Sequence, residues 1–235
     1  MQTDKRQALP PRHELKYFIN PAELALLRQR LRPAMALDPH CREGSPYAIR
    51  SLYFDDVEDS AFYDKQAGVM HRDKYRIRIY NMSDKVIKFE RKHKNGQFIG
   101  KQSLALTRQQ CDAVLAGEYG FLLHRQEDFA AELYAALRTE GWRPKVLVDY
   151  DREPFIFPLE DVRITIDRNI RTGLRCTDLF NPHAPTFPAT EFDNGCILEV
   201  KFNKYLPSYV RSLIQVNAAS HTAASKYLYC RQFDF

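Results

Sequence analysis

No stretch of about 18 apolar residues occurs in the 235-residue chain, which excludes an ordinary transmembrane helix. The N-terminal run MQTDKRQALPPRHELKY lacks the apolar segment of a secretory signal. Cysteine is sparse. Cys41, Cys111, Cys176, Cys196 and Cys230 are scattered and odd in number, with no CxxC pair and no His at zinc-site spacing. This argues against a disulfide framework and predicts reduced, structural thiols in a soluble, cytoplasmic protein. Ser, His and Asp form no recognised nucleophile motif, and no internal repeat or low-complexity tract is present. The run Gly96 to Lys101, GQFIGK, looks like a phosphate loop but is one residue short and sits between strands rather than before a helix.

What the chain does contain is enough apolar residue for a core, 44%, and a formal net charge of +5. An excess that small favours an anionic partner only if the cations converge. Residues 1–11 read as a mobile leader and residues 12–235 as one domain, a size that barrels often reach as single units. Strands are predicted at Arg12 to Ile19, Tyr47 to Asp55, Arg72 to Tyr80, Lys85 to His93, Gln97 to Leu104, Lys145 to Glu153, Val162 to Ile170 and Cys196 to Asn203. Asn95-Gly96 gives a strong hairpin signal. Helices are predicted at Pro21 to Leu31, Thr107 to Ala116, Glu127 to Thr139, Pro207 to Val216 and Ser220 to Cys230, with a short turn at Ser60 to Gln66. Hairpins mixed with helical pairs indicate an α+β fold with a mostly antiparallel sheet.

Side chains two apart on a strand share a face. Lys74, Arg76 and Arg78 therefore lie together, opposite Tyr75, Ile77 and Ile79. Lys88, Glu90 and Lys92 lie opposite Ile87 and Phe89, and Glu199 with Lys201 opposite Leu198, Val200 and Phe202. Lys101 with Ser103, and Arg163 with Thr165 and Asp167, follow the same rule more loosely. One strand of this kind is ordinarily a sheet face turned to water. Several such strands side by side would repel one another, and a long anionic ligand inside a barrel relieves that repulsion. Stacking of nucleic-acid bases is disfavoured, because Tyr75, Phe89 and Phe202 alternate away from the charges and read as core.

Several runs, in order and over nearly the whole chain, resemble the VTC (vacuolar transporter chaperone) domain. This is a polyphosphate polymerase module of the CYTH-like, triphosphate tunnel metalloenzyme superfamily. They are RHELKYFI from Arg12, SLYFD from Ser51, RDKYRIRIY from Arg72, IKFERK from Ile87, PKVLVDYDREPF from Pro144, RITID from Arg163, LEVKFN from Leu198 and SKY from Ser225. The resemblance implies an antiparallel eight-stranded tunnel β-barrel with a charged interior, packed with peripheral helices. It implies transfer of the ATP γ-phosphate to a growing inorganic polyphosphate chain, with a divalent metal, manganese or magnesium. It assigns Arg76, Arg78 and Lys201 to gripping the triphosphate and Glu199 to the metal. Lys16, Lys88, Lys101, Arg152, Arg163 and Lys226 bind further phosphates, with Tyr150 and Ser225 as neutral partners.

The sequence departs from the broader superfamily at Arg12, which stands where an acidic residue is common, so that only Glu14 precedes Lys16. Fewer carboxylates imply a more cationic tunnel, suited to a long polyanion. The regulatory and membrane domains of eukaryotic relatives have no counterpart in this sequence, which leaves a membrane-associated partner open. A triphosphatase, with water as acceptor, is an alternative that the same tunnel would serve. A non-catalytic polyphosphate sensor is another, against which the carboxylate at Glu199 argues.

Overall fold

The alternating segments form one antiparallel sheet in the computed structural model, which describes residues 13–41, 44–96, 98–157, 161–189, 195–216 and 224–232. Its strands are β1 (His13–Ile19), β2 (Ala36–Leu37), β3 (Tyr47–Asp55), β4 (His71–Tyr80), β5 (Ser83–Asn95), β6 (Phe98–Leu106), β7 (Arg143–Phe157), β8 (Val162–Leu174), β9 (Phe187–Pro188) and β10 (Cys196–Phe202). The eight long strands are ordered β1-β10-β8-β7-β3-β4-β5-β6, with β2 added beside β7 and β9 beside β8. All pairings are antiparallel. The predicted leader and Arg12 lie outside the described residues.

The sheet curls on itself. Strands β1 and β5 are six places apart, about 29 Å in a flat sheet, yet Glu14 of β1 and Lys92 of β5 meet at 3.1 Å. Both belong to the charged face, so that face is the concave one. Its convex side is apolar and helix-covered. Leu52, Phe54, Ile77, Phe89 and Leu104 join Cys111 and Val114 of α3 (Arg108–Ala116) and Phe129, Leu133 and Leu137 of α4 (Asp128–Arg138) in the larger core. A second core packs Leu24, Leu27 and Leu31 of α1 (Pro21–Ala34) and Val210 of α5 (Ser208–Leu213) on Ile164, Leu198 and Val200. Short helices α2 (Ser60–Gln66) and α6 (Lys226–Arg231) meet at one end of the barrel.

Local chemistry explains most boundaries. Asn20 and Glu23 form a capping box with Pro21 at the first position of α1, and Thr107 with Gln110 forms another at α3. Helix α1 runs three residues past the predicted Leu31 and accommodates Pro33 in its last turn. The hairpin between β4 and β5 turns at Asn81-Met82. Tyr80 pairs with Ser83, and both turn residues have positive φ, 51° and 54°, as a two-residue turn of matching twist requires. At the Asn95-Gly96 hairpin Asn95 pairs with Phe98, while Gln97 lies outside the described residues. The predicted start of the last helix at Ser220 also lies outside them; its described part begins at Lys226.

Candidate functional site

Charge on the concave face is organised around three carboxylate centres. Glu90 of β5, 2% exposed, is the first. Arg76 approaches its Oε2 at 2.7 Å, Arg78 at 3.9 Å, and Lys101 of β6 lies 2.5 Å from Oε1. Burial alone would raise the Glu90 pKa, but Arg76, Arg78 and Lys101 outweigh it and hold it at about 2. Arg76 also donates to the Tyr53 hydroxyl at 2.9 Å, and Arg78 to Ser51 Oγ at 3.1 Å and the Tyr150 hydroxyl at 2.9 Å.

Asp167 of β8, fully buried, is the second. Arg152 binds it with two hydrogen bonds of 2.7 Å, the fork geometry that suits a carboxylate or a phosphate. Lys226 reaches it at 2.6 Å from the start of α6. Burial pushes the Asp167 pKa up, and Arg152 and Lys226 more than reverse that. Tyr150 joins the two centres. Its hydroxyl accepts from Arg78, while its ring lies 4.8 Å from the Lys226 ammonium and 5.4 Å from the Arg152 guanidinium.

Glu199 of β10 with Glu14 of β1 is the third. The strands place Glu199 opposite Lys16 and Lys201 opposite Glu14. The Glu199 carboxylate is met by Lys201 at 3.0 Å and Arg152 at 3.6 Å, and it accepts from the Thr165 hydroxyl at 3.4 Å. Lys16 contacts Glu14 at 2.9 Å. The two carboxyl groups are within hydrogen-bonding reach of each other. Burial opposes ionisation of Glu199, but the bond from Glu14 and the charges of Lys201, Lys16 and Arg152 hold its pKa well below the ordinary value. Two acidic groups in contact need a proton or a cation between them.

Ten of the twelve predicted residues thus lie in or beside the connected network of these centres; Ser225 enters it through a 2.9 Å bond from Lys74 and a place next to Lys226. The other two stand apart. Lys88 is opposite Arg78 in register, with no carboxylate within ion-pair distance among the described residues. Arg163 turns to Asp38, just after β2, at 2.8 Å, and so sits at the margin. The prediction passed over Glu14, Glu90 and Asp167 as site residues, although each shares the two-residue alternation of its cationic neighbours. Asp38 carries no such signal.

Among the described residues no group of three or more His, Cys, Asp or Glu side chains is placed to hold a metal. The donors at hand are Glu199 and Glu14. Two carboxylates fit a hard divalent ion that completes its shell with phosphate oxygens and water. They do not suit a closed protein cage.

The curled antiparallel sheet of eight strands has counterparts of the same fold among solved structures. Two solved structures share the fold. A Hippeastrum protein, provisionally described as an adenylyl cyclase and as having a dominant triphosphatase activity, matches with a TM-score of 0.57 and 14% identity over 94% of this chain and 96% of its own. A Bacillus halodurans protein, provisionally described as an adenylate cyclase, matches with a TM-score of 0.50 and 12% identity, over 82% and 80% respectively. No curated protein matches the chain. The chain belongs to the VTC domain family, whose model matches residues 11–233. No helix of the described residues is long and apolar enough to cross a membrane, and all five cysteines are free thiols.

Proposed function

We propose that this protein is a metal-dependent polyphosphate polymerase that transfers the γ-phosphate of ATP to the end of an inorganic polyphosphate chain. One observation carries the reading. Along the concave face, cations outnumber the carboxylates Glu14, Glu90, Asp167 and Glu199, and a carboxylate pair stands at one side of them. Phosphoryl transfer asks a protein mainly for position and charge neutralisation. Arg76, Arg78 and Lys201 grip the triphosphate, with Arg152 and Lys226 beside them and Lys16, Lys88, Lys101 and Arg163 along the walls. Phosphate oxygens displace Glu90 and Asp167 as partners of the guanidinium groups. Tyr150 and Ser225 donate neutral hydrogen bonds.

A terminal oxygen of the chain attacks the γ-phosphorus, and the bond from that phosphorus to the β–γ bridging oxygen breaks. The electron pair leaves with ADP. The attacking oxygen is already ionised near neutral pH, so no general base is needed. Glu199 with Glu14 would hold a manganese or magnesium ion, whose charge would help neutralise the phosphates. A cytoplasmic location, where ATP is available and thiols stay reduced, belongs to this reading.

The same site serves a triphosphatase when water takes the place of the chain end, and the activity described for the Hippeastrum neighbour favours keeping this second reading. Incubating the protein with ATP and manganese and sizing the phosphate products separates them. Long chains are expected. Orthophosphate alone marks a hydrolase, and unchanged ATP a binding protein. Arg76→Ala and Glu199→Gln are each expected to abolish turnover while keeping the circular dichroism of the wild type. Normal turnover by either variant would defeat the site assignment.

A further inference from the structure

Two tyrosine hydroxyls accept from the central arginines of the concave face. Tyr150 accepts from Arg78 at 2.9 Å, and Tyr53 of β3 accepts from Arg76 at the same distance. Strand register sets Tyr53 directly opposite Arg76 and Ser51 opposite Arg78, so both β3 side chains stand on the charged face. Tyr53 is 6% exposed. Its ring is backed by the Tyr227 ring, stacked at 5.1 Å and 28°, and the Tyr227 hydroxyl is held in turn by Asp55 and Arg231. This packing keeps the Tyr53 hydroxyl against the Arg76 guanidinium.

A phenol carries one donor hydrogen besides its acceptor lone pairs. Tyr53 receives a hydrogen from Arg76, but among the described residues nothing accepts the hydroxyl's own proton. A buried donor without an acceptor is costly, and the charges around this one specify what would satisfy it. Burial would raise the Tyr53 pKa, yet Arg76, Arg78 and Lys226 outweigh it and draw the phenol below its ordinary value. A phenol polarised in this way donates a stronger hydrogen bond to an anion. Arg76 keeps donors to match. Its Nε donates to Glu90 and one Nη1 hydrogen to Tyr53, which leaves the second Nη1 hydrogen and the phenol proton side by side.

We propose that the Tyr53 hydroxyl is a further phosphate-binding group, accepting from Arg76 while it donates its own proton to an oxygen of the phosphate that Arg76 and Arg78 grip. The inference rests on the reading of the tunnel as a phosphate site. Glu90 gives way as that phosphate enters, because both are anions that compete for Arg76. Tyr53 stays, being neutral and able to donate as well as accept. It keeps Arg76 aimed through the exchange and adds a contact without adding a charge.

The test titrates inorganic tripolyphosphate into the wild type, Tyr53→Phe and Tyr75→Phe by calorimetry, and follows the melting of each protein. Tyr75, on the convex face, also accepts from an arginine, Arg91 at 3.4 Å, and so controls for the loss of such a bond. Tyr53→Phe keeps the ring stack and is expected to bind tripolyphosphate about tenfold more weakly, the effect of one hydrogen bond to a charged group. Tyr75→Phe should stay within about twofold of wild type. In an Arg76→Lys background, which keeps a cation in place, Tyr53→Phe should again cost about tenfold. No further loss in that background would make the tyrosine a prop for Arg76 alone and overturn its contact with the ligand. An equal loss in Tyr75→Phe would overturn it too. Should Tyr53→Phe melt early, the same loss is expected in trimethylamine N-oxide, which favours the folded state. A wild type and a Tyr53→Phe that bind tripolyphosphate equally well sink the role of the hydroxyl alone, whereas a wild type that binds none sinks the tunnel reading beneath it.

Discussion

Glu90 is where single-residue energetics are sharpest. Its carboxylate is surrounded by Arg76, Arg78 and Lys101, and its pKa falls from 4.5 to about 2. A carboxylate depressed in the folded state contributes stability above its unfolded pKa and loses it as the pH falls through the folded value. The contribution is therefore full above about pH 4.5 and gone below about pH 2, and the shift corresponds to about 3 kcal/mol. Glu90→Gln is expected to lower the unfolding free energy at pH 7 by about that amount. It should also flatten the dependence of stability on pH between 5 and 2, as urea titrations at several pH values would read. An unchanged pH profile would mean that Glu90 is not the group being titrated. Arg50 offers a second case. It is 2% exposed and holds Asp149 with two hydrogen bonds of 2.8 Å while donating to the carbonyls of Leu179 and Asn181. Removing one member of a buried pair leaves the other charge uncompensated. Arg50→Ala is expected to cost about 3–5 kcal/mol in the same titration.

At the scale of elements, the short helix α6 depends on its neighbours more than on its own six residues, too few for a stable isolated helix. The Tyr227 hydroxyl donates to Asp55, whose carboxylate also accepts from the Ala61 and Phe62 amides at the start of α2. Arg231 reaches Asp59 at 3.0 Å, and Lys145 reaches the same oxygen at 3.0 Å. The Tyr227 ring stacks on Tyr53 at 5.1 Å, and Tyr53 in turn accepts from Arg76. Helix α6 is thus tied to α2 and, through one ring, to the cation at the centre of the site. Tyr227→Phe keeps the stack and removes the hydroxyl. It is expected to cost about 1–3 kcal/mol and to speed amide exchange in α6 before the rest of the sheet. Uniform exchange across the whole protein would show that α6 has no independent hold.

On the scale of the whole molecule, a concave face with more cations than carboxylates stores repulsion that a bound polyanion relieves. A ligand that binds only the folded state raises its stability in proportion to the logarithm of concentration over Kd. Tripolyphosphate is expected to raise the melting temperature of the wild type by several degrees at about a hundred times its Kd. The same concentration of sulfate should raise it much less, and Arg76→Ala should respond weakly. A shift with sulfate equal to that with tripolyphosphate would point to bulk ionic effects instead of a site.

Much of the site could be read from the chain because strand geometry is local. Alternation by two residues put Arg76 with Arg78 and Glu199 with Lys201 on one face before any partner strand was known. Sequence alone also determined that the cations outnumber the acids on those faces. The departure at Arg12 is a sequence observation as well, and that residue lies outside the described residues. What only the tertiary structure decided is which charges meet. The contacts Glu14–Lys92, Arg163–Asp38 and Lys226–Asp167 join residues 59 to 125 positions apart in the chain, and depend on strand order and on the curl that brings β1 against β5. No local pattern encodes those distances, because sheet closure is a property of all eight strands together.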